Sequence, residues 1–207
     1  MHSRCHRRFP SRKGLVCPAL CSFWGLMGHQ ALAHQGKGVM GGFFSGFTHP
    51  IFGFDHLLAM LAVGIWGAQI GGKAVWELPV LFPMVMAFGG ALGVAGVHIP
   101  FVEVVIALSV ISLGGAIAVE AKPPEWFSLV LVGIFAVFHG YAHGLELPRA
   151  ADPVSYGIGF VTATGLIHLA GIGFGLSLGA LKKGRIARAT GALFALVGVY
   201  FVTAALS

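Results

Sequence analysis

Six apolar stretches follow one another along this chain, at about residues 54–71, 78–98, 100–119, 126–146, 154–181 and 188–206. Each is close to the ~20 residues that carry a helix across the hydrocarbon core of a bilayer. In that solvent every backbone N–H and C=O needs a partner within the protein, which the α-helix supplies. The breaks between the stretches hold the residues that end helices: Gly71-Gly72-Lys73, His98-Ile99-Pro100, Lys122-Pro123-Pro124, Pro148 to Pro153, and Lys182 to Arg188. Composition agrees, with 57% hydrophobic and 10% charged residues against about 25% charged in soluble domains. The expected fold is all-α, a polytopic membrane helical bundle of six transmembrane helices. The 207 residues leave no room for a second folded domain.

The first 33 residues read differently. Arg4, Arg7, Arg8, Arg12 and Lys13 form a basic start, an apolar stretch follows over roughly residues 14–27, and Ala31-Leu32-Ala33 supplies an A-x-A cleavage site. The apolar part is shorter than a span requires, so residues 1–33 are expected to be a cleaved signal peptide and 34–207 the six-helix transmembrane domain. Cleavage removes Cys5, Cys17 and Cys21, the only cysteines, so no thiolate ligand remains. It also removes five of thirteen basic residues and none of the seven acids, leaving a net charge of +1. The basic balance of the full chain is a targeting feature and no argument for nucleic acid.

A cleaved signal leaves the new N-terminus outside. The loops after the first, third and fifth spans then face the cytoplasm with Lys73, Lys122, Lys182, Lys183, Arg185 and Arg188. The outer segments hold only Lys37 and Arg149, as the positive-inside rule requires. The chain is thus expected in a bacterial inner membrane, multi-pass, with a periplasmic mature N-terminus. Gly89 with Gly93, and Gly171 with Gly175 and Gly179, form small-residue stripes that let helices approach closely in lipid.

Polar residues gather at the outer ends of these spans. Phe138-His139-Gly140-Tyr141-Ala142-His143-Gly144-Leu145-Glu146 closes the fourth span, and its spacing puts His139, His143 and Glu146 on one helix face. Asp55 and His56 open the first span, with His49 just before them on an apolar segment over 41–54. That segment is broken by Gly46, Pro50 and Gly53 and is expected to be an interfacial or re-entrant stretch of irregular backbone, tolerated where it lines a cavity. Glu103 lies one turn into the third span, His98 ends the second, and His168 sits halfway along the fifth. His34, the first mature residue, offers an amine and an imidazole together. Ionisable groups inside a membrane are costly and mark function. Imidazole nitrogen and carboxylate oxygen without sulfur suit Ni²⁺, Co²⁺, Zn²⁺ or Cu²⁺, and donor type alone does not choose among them. Met60, one turn after His56, reads as core packing.

His49-Pro50-Ile51-Phe52-Gly53-Phe54-Asp55-His56 resembles the H-P-x-x-G-x-D-H signature of the HupE/UreJ family, membrane proteins associated with hydrogenase and urease maturation. Phe138 to Glu146 matches that family's F-H-G-x-A-H-G-x-E motif at every fixed position, and the likeness runs from about His34 to the C-terminus. The resemblance implies uptake of nickel, as transported substrate rather than cofactor, with His49, Asp55, His56, His139, His143 and Glu146 handling the metal; cobalt or zinc is the alternative ion. His168 and His34 complete the expected ligand set. The expected partners are a divalent metal ion and membrane lipid, and a homo-oligomer is compatible with the sequence. No G-x-x-x-x-G-K-[ST] loop is present, so ATP hydrolysis by this chain is not expected. An intramembrane metalloprotease is disfavoured because H-E-x-x-H is absent. A metal-binding sensor or accessory subunit that transports nothing is the competing reading.

Overall fold

The computed structural model describes residues 39–147, 152–180 and 184–206. The expected signal peptide, its cleavage site and His34 lie outside the described residues. Seven helices appear among them and no strand: α1 (Val39–Phe52), α2 (Phe54–Ile70), α3 (Ala74–Val94), α4 (Val102–Ala118), α5 (Glu125–Glu146), α6 (Pro153–Ala180) and α7 (Gly184–Ala205). Helices α3, α5, α6 and α7 are long and apolar enough to cross a membrane. Helices α1 and α2 meet the same test only as a pair, bent by 79° between them in the manner of a broken span or a re-entrant loop, and α4 is a shorter apolar helix.

The segment over 41–54 departs from the irregular backbone expected of it. It is helical through Gly46 and Pro50, and only Gly53 interrupts it. Gly46 does not break the helix, because its missing side chain lets α1 lie directly against the Tyr156 carbonyl of α6. Pro50 removes a single bond, the one to the Gly46 carbonyl.

Helix α2 is the centre of the bundle. From Ala59 to Gly67 every residue but Leu61 is buried, as befits a helix that is apolar all round. It packs on α6, α4 and α3, with α1 and α7 at its margins. Met60 is among its fully buried residues, in the core as packing. The outer faces of the bundle are apolar too, with Met84, Phe88, Ile134, Leu169 and Leu196 all exposed. A surface of that kind suits lipid and not water.

Glycines set how closely the helices cross. A Cβ on Gly140 would collide with the Met86 carbonyl, and one on Gly144 with the Gly90 carbonyl. Because these contacts advance together, α3 and α5 run in the same direction. Gly171 meets Leu61 and Gly175 meets Ile65 and Ala68, so α2 and α6 also run in the same direction. Gly179, the expected third member of that stripe, has nothing within 4 Å of its Cβ position and makes no close approach. By contrast, Gly114 meets Gly191 and Gly198 meets Ile111, so α4 and α7 are antiparallel.

These directions sort the two ends of the bundle. One holds the starts of α2, α4 and α6 and the finishes of α3 and α5. The other holds Lys73, Glu77, Lys122, Glu125, Arg185 and Arg188. There α4 ends with Glu120 in the left-handed region (φ 53°), its N–H bonded to Ile117 and that of Ala121 to Ala116. The indole of Trp66 donates to the Ala121 carbonyl at 2.9 Å and Arg188 Nε to the Ala118 carbonyl at 3.1 Å, so α7 satisfies the last carbonyl of α4 and α2 one in the turn that follows it. At the opposite end Asp152 caps α6, accepting the Val154 N–H at 3.1 Å and the Ser155 hydroxyl at 2.8 Å. Those two bonds hold the Asp152 carboxyl below its ordinary pKa.

Candidate metal centre

The break at Gly53 puts the end of α1 and the start of α2 side by side, and with them His49 and His56. Asp55 lies behind His56. Its Oδ1 accepts the His56 backbone N–H at 2.8 Å and lies 2.7 Å from His56 Nδ1. A carboxylate only accepts, so Nδ1 carries the proton and Nε2 is left with its lone pair. This is the carboxylate–histidine arrangement that orients an imidazole for a metal.

Helix α5 brings the second group. His139 Nδ1 donates to the Phe135 carbonyl at 2.8 Å, one turn back, which again leaves Nε2 as the free acceptor. His143, one turn later, has no hydrogen bond at either ring nitrogen. Neither His56 Nε2 nor His139 Nε2 has a partner. All three histidines are buried, His139 completely.

The rings form a file. His49 and His143 centroids lie 4.8 Å apart, His143 and His56 4.4 Å, and His56 and His139 4.9 Å. At the outer end His49 Nε2 is 2.9 Å from Glu146 Oε2. The donor atoms of His49, His143 and Glu146 all fall within 4.8 Å of one another. Opposite ligands on a first-row dication lie about 4.2 Å apart, twice a bond length of about 2.1 Å. The three donors therefore need to close by only a few tenths of an ångström each to share an ion.

Of the eight expected residues, the structure brings six together: His49, Asp55, His56, His139, His143 and Glu146. His168 stands apart, deeper in the bundle, with the Phe82 ring 5.4 Å from it and 5.3 Å from His139. His34 lies outside the described residues. His98 is exposed in the connection before α4 and does not join the cluster. Glu103 was expected only as an acid near the outer surface. It lies close enough to His56, Asp55 and Glu146 to act on their charges.

The walls are aromatic and were not anticipated. Phe160 lies 4.3 Å from His143, and Tyr156 6.0 Å from His49. A cleft of about 270 Å³ between α3, α5 and α6, lined by Met86, Gly90, Tyr156 and Phe160 among others, reaches His143. A sequence signal for the α6 wall does exist: Tyr156, Phe160, Thr164 and His168 recur every four residues and so share one face. Phe82 has no such mark.

Comparison with known proteins bears on the same residues. The sequence profile described as HupE / UreJ protein matches residues 22–201, a range that contains both histidine motifs. Protein HupE of Rhizobium leguminosarum bv. viciae is 45% identical over 170 residues, which cover 81% of this chain and 88% of that protein. No solved structure matches the chain. By the extent of both matches, the chain belongs to the HupE/UreJ family of accessory membrane proteins, which is not an enzyme family.

Proposed function

We propose that the chain is a nickel-uptake protein of a bacterial inner membrane, supplying the ion for metallocentre assembly of hydrogenase or urease. The observation that carries this reading is the convergence of His49, His143 and Glu146, whose donor atoms lie within 4.8 Å of one another, beside buried, unpartnered nitrogens on His56 and His139. A buried polar atom without a partner costs roughly 1–3 kcal/mol. Nitrogen donors held ready in this way favour a dication of the Ni²⁺, Co²⁺ or Zn²⁺ kind. Family membership supports the hydrogenase or urease context.

In this reading the bundle crosses the membrane six times, with α1 and α2 together making the first crossing. A cleaved signal peptide over 1–33 precedes them, and the mature N-terminus is periplasmic. The cluster faces the periplasm, and Lys73, Lys122, Arg185 and Arg188 face the cytoplasm. A hydrated ion exchanges waters for His49, His143 and Glu146, and then for the Nε2 lone pairs of His56 and His139. Asp55 holds His56 in the binding tautomer. The membrane potential drives entry, since a dication gains about 4.6 kcal/mol per 100 mV, inside negative.

The test is ⁶³Ni²⁺ accumulation by vesicles containing only this protein. His143→Ala is expected to reduce uptake at limiting nickel to the protein-free background. If the variant accumulates nickel as the unaltered chain does, the proposed site is wrong. If the unaltered chain binds nickel but accumulates none, it is a metal-binding accessory subunit and not a transporter.

A further inference from the structure

Behind the cluster the bundle keeps a second set of polar atoms with nothing to bind. His168 is 1% exposed, and Thr164, one turn earlier on α6, is 0% exposed. The Thr164 hydroxyl and both His168 ring nitrogens lack hydrogen-bond partners. Their spacing of four sets the two side chains on one face, with Cβ atoms about 5–6 Å apart.

Helix α3 adds a third acceptor by covalent necessity. Pro83 has no N–H, so the carbonyl four residues earlier, that of Pro79, has no donor within the helix. Pro79 is buried. Its carbonyl lies beside the His168 imidazole, although no hydrogen bond of good geometry joins them. Phe82, 0% exposed, separates this group from the outer cluster, its ring standing edge-on to both His139 and His168.

Imidazole nitrogen, hydroxyl oxygen and amide carbonyl oxygen make a neutral donor set. The outer cluster has Glu146, with Asp55 behind His56, and therefore holds a dication more tightly. Passage through a membrane protein needs sites strong enough to fill and weak enough to empty. A neutral site deeper in the bundle meets the second requirement. We infer that His168, Thr164 and the Pro79 carbonyl form a second, weaker station for the divalent transition-metal ion, midway along α6. This inference rests on the uptake reading above.

Proteoliposomes holding the full chain under an inside-negative potential test it with ⁶³Ni²⁺ alone. Thr164→Val removes the hydroxyl at nearly constant shape. It is expected to lower the maximal uptake rate about tenfold, the usual scale for losing a supporting ligand. Half-saturation, set at the outer cluster, should stay within about twofold. Thr164→Ser keeps the hydroxyl and should transport as the unaltered chain does. Pro83→Ala supplies the N–H that α3 lacks and so occupies the Pro79 carbonyl. It is expected to slow uptake by a similar factor while the Tm does not fall, an outcome that a packing role does not produce. If Thr164→Val and Pro83→Ala both transport at the unaltered rate, the second station is wrong and the uptake reading stands. A Thr164→Val defect that Thr164→Ser shares also overturns it. Absence of nickel accumulation by the unaltered chain overturns both.

Discussion

His143 is the residue on which the outer cluster turns. Its ring touches those of His49, His56 and Phe160, and neither nitrogen is engaged. Asp55 acts one step back, through His56, so the two residues should fail differently. Asp55→Asn keeps the side-chain shape but weakens the hold on the His56 tautomer. It is expected to lower nickel affinity about 10–100-fold, as loss of an orienting carboxylate does elsewhere, and equilibrium dialysis with ⁶³Ni²⁺ measures it. The histidines and acids were legible in the sequence because each motif's spacing is local to one helix or one elbow. Phe82 was not, because its place between His139 and His168 depends on how α3 crosses α5 and α6, and no run of residues on α3 encodes that.

At the scale of helices, close crossings are the part most exposed to mutation. Gly140→Val puts a branched side chain into the Met86 carbonyl. It is expected to destabilise the bundle by about 1–3 kcal/mol, the usual cost of overpacking, read as a lower Tm. Gly115, with open space at its Cβ position, is the control, and Gly115→Ala should be neutral or slightly stabilising. The cap on α6 gives a pH signature of known sign. The Asp152 carboxyl is held below its ordinary value of 3.8, so its stabilising effect is present above that value and is lost as pH falls through the depressed one. Asp152→Asn should therefore flatten thermal stability below about pH 4. Four of the helices fall within two residues of the stretches expected from apolar length and proline breaks. Helices α3 and α7 each begin four residues earlier than expected, at Ala74 and Gly184; for α3 the glycine turn at Gly71-Gly72 ends just before it. The backbone over 41–54 is helical rather than irregular for a physical reason. Gly46 reads as a helix breaker in water, but between packed helices it is the residue that lets α1 lie against α6.

For the molecule as a whole, helix lengths and polarity were legible in the sequence and helix pairing was not. That α3 and α5 lie parallel, and that α2 sits at the centre, follows from carbonyl-to-glycine contacts between distant segments. Helices α2 and α4, at 17 residues each, are about 25 Å long, short of a ~30 Å hydrocarbon core. For α2 the deficit falls beside α1, where the cluster lies. If potential alone drives uptake, 100 mV sustains more than a thousandfold gradient of a dication. Clamping the potential at zero in vesicles should then limit accumulation to equilibration, and continued concentration would identify another driving force. The elbow at Gly53 has a mechanical corollary. His49 sits four residues before the bend and His56 three after it, so the two imidazoles ride on opposite arms of a hinge. With a lever of about 6 Å, a 10° flex changes the gap between the arms by about 1 Å, which is enough to turn a gripping bite into a slack one.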